Sequence, residues 1–215
     1  MLSVARVSTL PDEEVRAMAA MSSETRSTLC DAESGIGAGS IERAADLLER
    51  SATPSSDASL LCALGALRLC LGEEPKAHHW LCRAICLDPG DLLCRHLYAL
   101  ALWRIGRLRE ASAQLRICLE AAPDDVDVLM SSCVLSRELG DMDGACLMQN
   151  RALQLHPRDA DVWAAAGGLA WALGQNATAV TAYRSALALA PRHAEARSAL
   201  DRIAAGEPWR ARPPV

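Results

Sequence analysis

The sequence predicts an all-α protein, a solenoid of helical hairpins, and three observations carry that prediction. Residues 160–191, ADVWAAAGGLAWALGQNATAVTAYRSALALAP, hold two apolar runs at helical spacing. The first is Val162, Ala166, Leu169 and Leu173; the second is Ala179, Tyr183, Ala186 and Leu187. Gly174 between them suits the left-handed residue that ends a helix, and Pro191 cannot continue one. Counting back 34 residues at a time, Pro191 leads to Pro157, Pro123 and Pro89, and Gly174 to Gly140, Gly106 and Gly72. The same step takes Ala179 to Ala145, Ala111 and Ala77, and Asp159 to Asp125, Asp91 and Asp57. Four columns held in one register across four units give the period of stacked hairpins.

Taken in order, residues 1–10 carry no helical pattern. Pro11-Asp12-Glu13-Glu14 is a helix start, with proline in the first turn and acids against the positive end of the helix dipole, and it predicts a short helix to Met21. A weaker helical run covers 25–33. Residues 34–40, SGIGAGS, read as a linker. They look superficially like a phosphate loop but have no strand before them and no Lys-Ser/Thr pair after them. Ser40 is placed as the cap of a helix ending before Pro54, the second helix of a degenerate half-repeat. Four full repeats follow at 58–91, 92–125, 126–159 and 160–193, each entered at an aspartate N-cap whose loss should cost about 1 kcal/mol. Pro75 falls in a first turn, where it is tolerated. The third repeat is the weakest, because Ser131, Ser132, Ser136 and Gln149 occupy faces that are apolar elsewhere. After His193, which stands in the aspartate column, residues 194–205 form a terminal helix with one wet face, as the end of a solenoid requires. The organisation is thus an N-terminal segment (1–39), a solenoid (40–205) and an extended Pro/Arg-rich tail (206–215).

The order Trp163, Gly167, Gly174, Ala179, Tyr183, Ala186, Pro191 resembles the tetratricopeptide-repeat pattern. The earlier repeats keep its small residues and proline: Gly65, Gly72, Ala77, Ala84 and Pro89; Ala99, Gly106, Ala111 and Pro123; Gly140, Ala145, Ala152 and Pro157. They depart at the aromatics, with Leu61, Arg95 and Leu129 in place of Trp163, and Leu81, Leu115 and Gln149 in place of Tyr183. The resemblance implies a right-handed superhelix whose first helices line a concave groove for partner peptides. Carried over by register, the groove presents Cys62, Ala66, Leu69 and Cys70, then Leu93, His96, Leu97, Leu100, Trp103 and Arg104. It continues with Met130, Val134, Arg137 and Glu138, and with Ala164, Gly168 and Trp171. Trp103 and Trp171 serve either as anchors for a partner or as packing between neighbouring repeats. The carboxylate clamp of some family members is missing, since its places hold Cys62, Ala66, Leu97, Asp127 and Ser131.

Composition narrows the function further. The chain has 215 residues, 51% hydrophobic, with a formal net charge of −5, which suits a packed protein and argues against a nucleic-acid surface. No stretch is apolar enough to span a membrane and no secretory signal is read at the N-terminus, so a cytoplasmic location is expected. Lys76 is the single lysine among 22 basic residues, and phenylalanine is absent, a bias that suggests a GC-rich bacterial genome. Nine cysteines at irregular spacing read as small buried hydrophobes in a reducing compartment.

No nucleophile, base and orienting group can be set together by spacing, and no enzyme activity is expected. The best metal or redox candidate is the face carrying His78, Cys82 and Cys86, with His79 beside it. One helix rarely offers four tetrahedral ligands, so packing is the preferred reading and no metal or cofactor is expected. What remains is surface. The expected function is a non-enzymatic module that holds a segment of a partner protein in an apolar groove. Small acidic chaperones of type III secretion systems are similar in class, which suggests a cytoplasmic chaperone for a secreted bacterial protein. An assembly scaffold acting through residues 11–33 or the convex face is the alternative, and a homo-oligomer fits either. The tail is expected to be loose and extended; a fold-back of Pro208-Trp209 through Pro213-Pro214 into the groove as a plug is the minor alternative.

Overall fold

The computed structural model describes residues 38–52 and 57–209, and every regular element among them is an α-helix. The chain runs through α1 (Ala38–Ser51), α2 (Ala58–Cys70), α3 (Glu74–Leu87), α4 (Leu92–Arg104) and α5 (Leu108–Ala121). It continues through α6 (Val126–Glu138), α7 (Met142–Leu155), α8 (Ala160–Ala172), α9 (Asn176–Leu189) and α10 (Ala194–Ala204). The first helices of the four hairpins are each 13 residues long and the second helices each 14, so the 34-residue register is kept without slippage. The fold is all-α, a series of helical hairpins. It divides into two compact units, one ending at Gln114 and the other starting at Leu115, inside α5. The helices expected at 11–21 and 25–33 lie outside the described residues, as do residues 210–215.

The hairpins start and stop where the columns place them, for local reasons. Asp57, Asp91, Asp125 and Asp159 each accept a backbone N–H of the turn that follows, at 2.7 Å from Leu60, 2.9 Å from Cys94, 2.9 Å from Asp127 and 2.9 Å from Asp161. His193 does the same work in α10: its Nδ1 accepts from Ala196 N at 3.1 Å, and its Nε2 lies 3.0 Å from an Asp161 carboxylate oxygen. At the other end of each first helix, Gly72, Gly106, Gly140 and Gly174 take φ between +71° and +82°. The next N–H then bonds back into the helix, as Gln175 does to Ala170 O at 2.9 Å.

Where arginine replaces the aromatic of the Trp163 column its hydrogen bond is kept, and where leucine does, at Leu61 and Leu129, it is given up. Trp163 Nε1 donates to Pro157 O at 2.8 Å, six residues earlier. Arg95 reaches Pro89 O, and Arg197 reaches Pro191 O at 2.6 Å, from the corresponding positions. A guanidinium therefore ties the incoming chain to the helix as the indole does.

One boundary differs from expectation. α1 begins at Ala38, so Ser40 lies in its first turn rather than capping it, and Gly39 is helical. An alanine–glycine pair costs a helix only about 1 kcal/mol of propensity, too little to break it at that place. α1 is held to the next hairpin by Arg68, which is 2% exposed yet charged. Its guanidinium pairs with Asp46 at 2.8 Å, with Glu73 at 2.6 Å and with Glu49. Burial opposes that charge, but the three carboxylates more than offset it and keep the arginine pKa above its ordinary value.

Within each hairpin the two helices meet at a small residue. A methyl group on Gly65 would come within 2.4 Å of Leu81 Cγ, and one on Gly167 within 2.9 Å of the Tyr183 ring. Leu61, Ala77, Leu81, Ala84, Cys94 and Ala101 form the core of the first unit. In the second unit Ala164, Ala170, Trp171, Ala179, Tyr183 and Ala186 are joined by Ala196 and Ala199 of α10.

Candidate functional site

The first helices differ from the second in how their apolar residues are spread. ASLLCALGALRLC (α2) and ADVWAAAGGLAWA (α8) are apolar round nearly their whole circumference, whereas LREASAQLRICLEA (α5) has a charged side. A helix of the first kind has more apolar surface than one hairpin partner can cover. Three columns, three or four residues apart, make up the rest of that surface: Cys62, His96, Met130, Ala164; Ala66, Leu100, Val134, Gly168; and Leu69, Trp103, Arg137, Trp171.

In the first unit Cys62, Leu69 and His96 are buried, while Ala66, Leu97, Leu100, Trp103 and Arg104 are half-buried. Leu93 is 48% exposed, and Cys70 is exposed as well. Arg104 is not a free cation for a partner, because its guanidinium donates to Leu69 O at 2.7 Å and so closes the C-terminal end of α2. In the second unit Met130, Val134, Arg137 and Gly168 are half-buried, Glu138 is exposed and Ala164 is buried.

Trp171 departs from the expected open groove. It is 4% exposed, packed in the cluster with Ala196 and Ala199, and the Arg202 guanidinium stands 4.7 Å from its ring centroid. The covering helix α10 is what shuts this position. Arg202 falls in the column of Ala66, Leu100, Val134 and Gly168, so the signal lay in the register of the last helix.

Beyond α10 the chain turns back. Gly206 has φ +71°, and Glu207 N bonds to Arg202 O at 3.0 Å while the Glu207 carboxylate accepts from Arg202 Nε at 3.0 Å. Three residues after the glycine, the Trp209 ring lies 4.8 Å from the Arg137 guanidinium and packs against the cluster containing Trp171. Arg137 Nε is itself buried without a hydrogen-bond partner. The sequence reading favoured an extended, loose tail over this fold-back, and it could not name Arg137 as the seat, since no periodicity links a tail to a helix.

The His78, Cys82 and Cys86 face does not gather as a ligand set. His78 Nε2 lies 3.0 Å from an Arg107 guanidinium nitrogen and 3.3 Å from the Tyr98 hydroxyl. Since arginine can only donate, that nitrogen accepts. Burial, then the Arg107 charge, lowers the His78 pKa. Among the described residues the group whose ligating atoms lie within 4.8 Å of one another is a different one, Cys62, Asp91 and Cys94. Two soft thiols and a carboxylate suit a divalent ion such as zinc in kind. The Cys94 thiol, however, is within 3.8 Å of Leu81 O and occupies the column of Leu60, Val128 and Val162, where a buried hydrophobe belongs. The sequence reading passed over this group because its cysteines sit in successive repeats. Of the eight described cysteines, all free, Cys62, Cys94, Cys118 and Cys133 are buried, while Cys70 and Cys86 are exposed.

With this geometry in hand, comparison with known proteins gives a consistent picture. A family model described as tetratricopeptide repeat matches residues 160–193. No curated protein matches the chain. Among solved structures, MamA residues 41–end from Desulfovibrio magneticus RS-1 is similar at 18% identity and a TM-score of 0.66, covering 81% of this chain and 99% of that one. A thermophilic tetratricopeptide-repeat protein, TTC0263 of Thermus thermophilus, is similar at 24% identity and a TM-score of 0.65, covering 75% of this chain and 91% of that one. MamA of strain AMB-1 follows at 21% identity and a TM-score of 0.64, covering 78% and 98%. At these identities the likeness is one of fold. Among the described residues no helix is long and apolar enough to cross a membrane.

Proposed function

We propose that this chain, which carries a tetratricopeptide-repeat match at residues 160–193 and shares the fold of such proteins, works as a non-enzymatic protein-interaction module holding a segment of a partner protein against its first helices. The observation that carries this reading is the incomplete burial of those helices. Ala66, Leu97, Leu100 and Trp103 in one unit, and Met130, Val134 and Gly168 in the other, are apolar or small residues left half-covered in register. Half-covered apolar surface with an aromatic in it is what an incoming chain can bury at low entropic cost. The finer form of the reading, a bacterial cytoplasmic chaperone for a secreted protein, rests on resemblance alone.

A second reading, a scaffold acting through the outer face, is favoured by a different observation. Leu87, Leu155 and Leu189 occupy one column at the ends of the second helices and are 55%, 40% and 43% exposed, and Leu147 is 64% exposed. One experiment separates the two. A photoreactive phenylalanine analogue placed at 66, 100, 130 or 134 should crosslink a partner in cells of the native source, whereas the same group at 87, 116 or 147 should not. Crosslinks confined to the second-helix positions would transfer the function to the outer face.

A further inference from the structure

We propose that Trp209 is an internal occupant of the partner-binding face of the second unit, filling a place that takes an aromatic side chain from an extended partner segment. The inference rests on the interaction-module reading and adds to it the chemistry of the partner.

Four observations point the same way. The chain reverses at Gly206, whose positive φ sends the next residues back along the helix they have just left. The two bonds between Glu207 and Arg202 fix the direction of that reversal. Pro208 follows, which removes a backbone donor and holds its own φ, so the segment arrives extended and with little freedom to lose. Trp209 then reaches α6, four helices earlier, and lays its ring against Arg137.

The receiving place has the features of an aromatic seat. Arg137 stands in the column that holds Trp103 in the fourth helix and Trp171 in the eighth, so here the first-helix surface offers a cation where its neighbours offer an indole. A guanidinium facing a ring, with a buried apolar cluster beside it, favours tryptophan or tyrosine over an aliphatic side chain. Arg137 Nε is buried and unpartnered, so the side chain already bears a desolvation cost that only a π face or an acceptor on the incoming chain can offset. Trp209 supplies the π face. A partner segment that uses this seat must carry an aromatic residue and must displace the tail.

The test uses the full chain and a synthetic peptide, fluorescein-labelled GEPWRARPPV, which is residues 206–215. Anisotropy titration should show the peptide binding to the Trp209→Ala chain. It should bind wild type at least tenfold more weakly, because a tail tethered three residues from its turn competes at a millimolar effective concentration. A chain ended after Gly206 should behave as Trp209→Ala does, with helical circular dichroism unchanged in both. Adding Arg137→Gln, or replacing the peptide's tryptophan by alanine, should abolish binding. Equal affinity for the vacated and wild-type chains overturns the proposal, and so does absence of binding to the vacated chain. A wild-type dimer that becomes monomeric with Trp209→Ala would also overturn it, by showing that the tail docks on a second copy. The peptide assay needs no natural partner. Peptide binding without crosslinks from positions 130 and 134 would therefore keep the aromatic seat and remove the module reading, and the opposite pair of results would do the reverse.

Discussion

The hairpin α6–α7 and the hairpin α8–α9 share length, aspartate cap and glycine stop, yet they meet through opposite chemistry. In α8–α9 the aromatic ring of Tyr183 lies over Gly167, where no methyl group would fit. In α6–α7 the same two columns hold Cys133 and Gln149. The Gln149 side chain is 3% exposed, donates from Nε2 to Val162 O at 3.0 Å, and accepts from the Cys133 thiol at 3.6 Å. One residue before Cys133, the Ser132 hydroxyl is buried with no hydrogen-bond partner, where α8 has Ala166. The backbone geometry is thus set by caps, stops and small residues. The contact point tolerates a polar group provided most of its hydrogen bonds are made.

The sharpest way to break this comparison is to empty both contact points. Tyr183→Ala removes a ring that is 4% exposed and should cost about 3–5 kcal/mol, as aromatic truncations in cores do. Gln149→Ala should cost only about 1–2 kcal/mol, because Val162 O stays bonded within its own helix and the lost side chain is smaller. Urea denaturation of the two variants checks the ranking. Equal losses would mean that the polar contact holds its hairpin as firmly as the aromatic one.

High pH should strain the two hairpins in turn. Burial, helped by Cys146, pushes the Cys133 thiol up from 9 to about 11, and burial with Glu195 pushes the Tyr183 phenol up from 10 to about 12. In both cases the folded chain holds its proton more tightly than the unfolded one. The associated stability is complete below the unfolded pKa and is lost as pH rises towards the folded one. Measured against Cys133→Ala, wild type should lose roughly 2–3 kcal/mol, mostly from pH 9 to 11. Measured against Tyr183→Phe, it should lose a similar amount from pH 10 to 12. Flat difference curves in urea titrations across those windows would show that neither group is as buried as its surroundings indicate.

Much of this was legible in the sequence. The period, the glycine stops, the aspartate caps and the small residues of the contact column follow from local backbone requirements, and local requirements repeat. The polar interior of α6–α7 was legible too, as Ser132 and Gln149 on an otherwise apolar face. What the sequence hid were pairings that break the repeat: Arg137 with Trp209, Arg202 over Trp171, and Arg68 with Asp46, Glu49 and Glu73. Apart from the Arg68–Glu73 pair inside one hairpin, each joins a repeat to a flanking segment of different sequence, and of these only the place of Arg202 follows from a column. The candidate face shows the same division. Its residues were named by register, and packing was one of the two readings of Trp171, but the bond of Arg104 to Leu69 had no signal in the sequence.

The steric side of the comparison can be sharpened with one methyl group. Gly167→Ala gains helix propensity of about 1 kcal/mol, but its Cβ meets three ring atoms of Tyr183 at 2.9 Å. A buried ring cannot swing aside, and overpacking of this kind costs about 1–3 kcal/mol, so the net should be a loss of roughly 1 kcal/mol. Combining it with Tyr183→Leu should remove most of the penalty, because a flexible aliphatic chain yields where a ring does not. A double-mutant cycle by thermal or urea unfolding reads that coupling directly.

The smallest effect has the opposite sign. Ser132 is 8% exposed and its hydroxyl has no partner, so folding strips water from an oxygen and returns nothing. Ser132→Ala removes that oxygen, adds helix propensity and copies the residue that α8 carries at the same place. The expected outcome is a gain of about 0.5–1 kcal/mol, seen as a higher urea midpoint with unchanged slope and as slower amide exchange confined to α6 and α7. A loss instead would reveal that the hydroxyl finds a water or backbone partner in solution. The polar contact at Cys133 and Gln149 would then extend by one residue into a network, and the lower stability expected of α6–α7 could not be laid to an orphaned group.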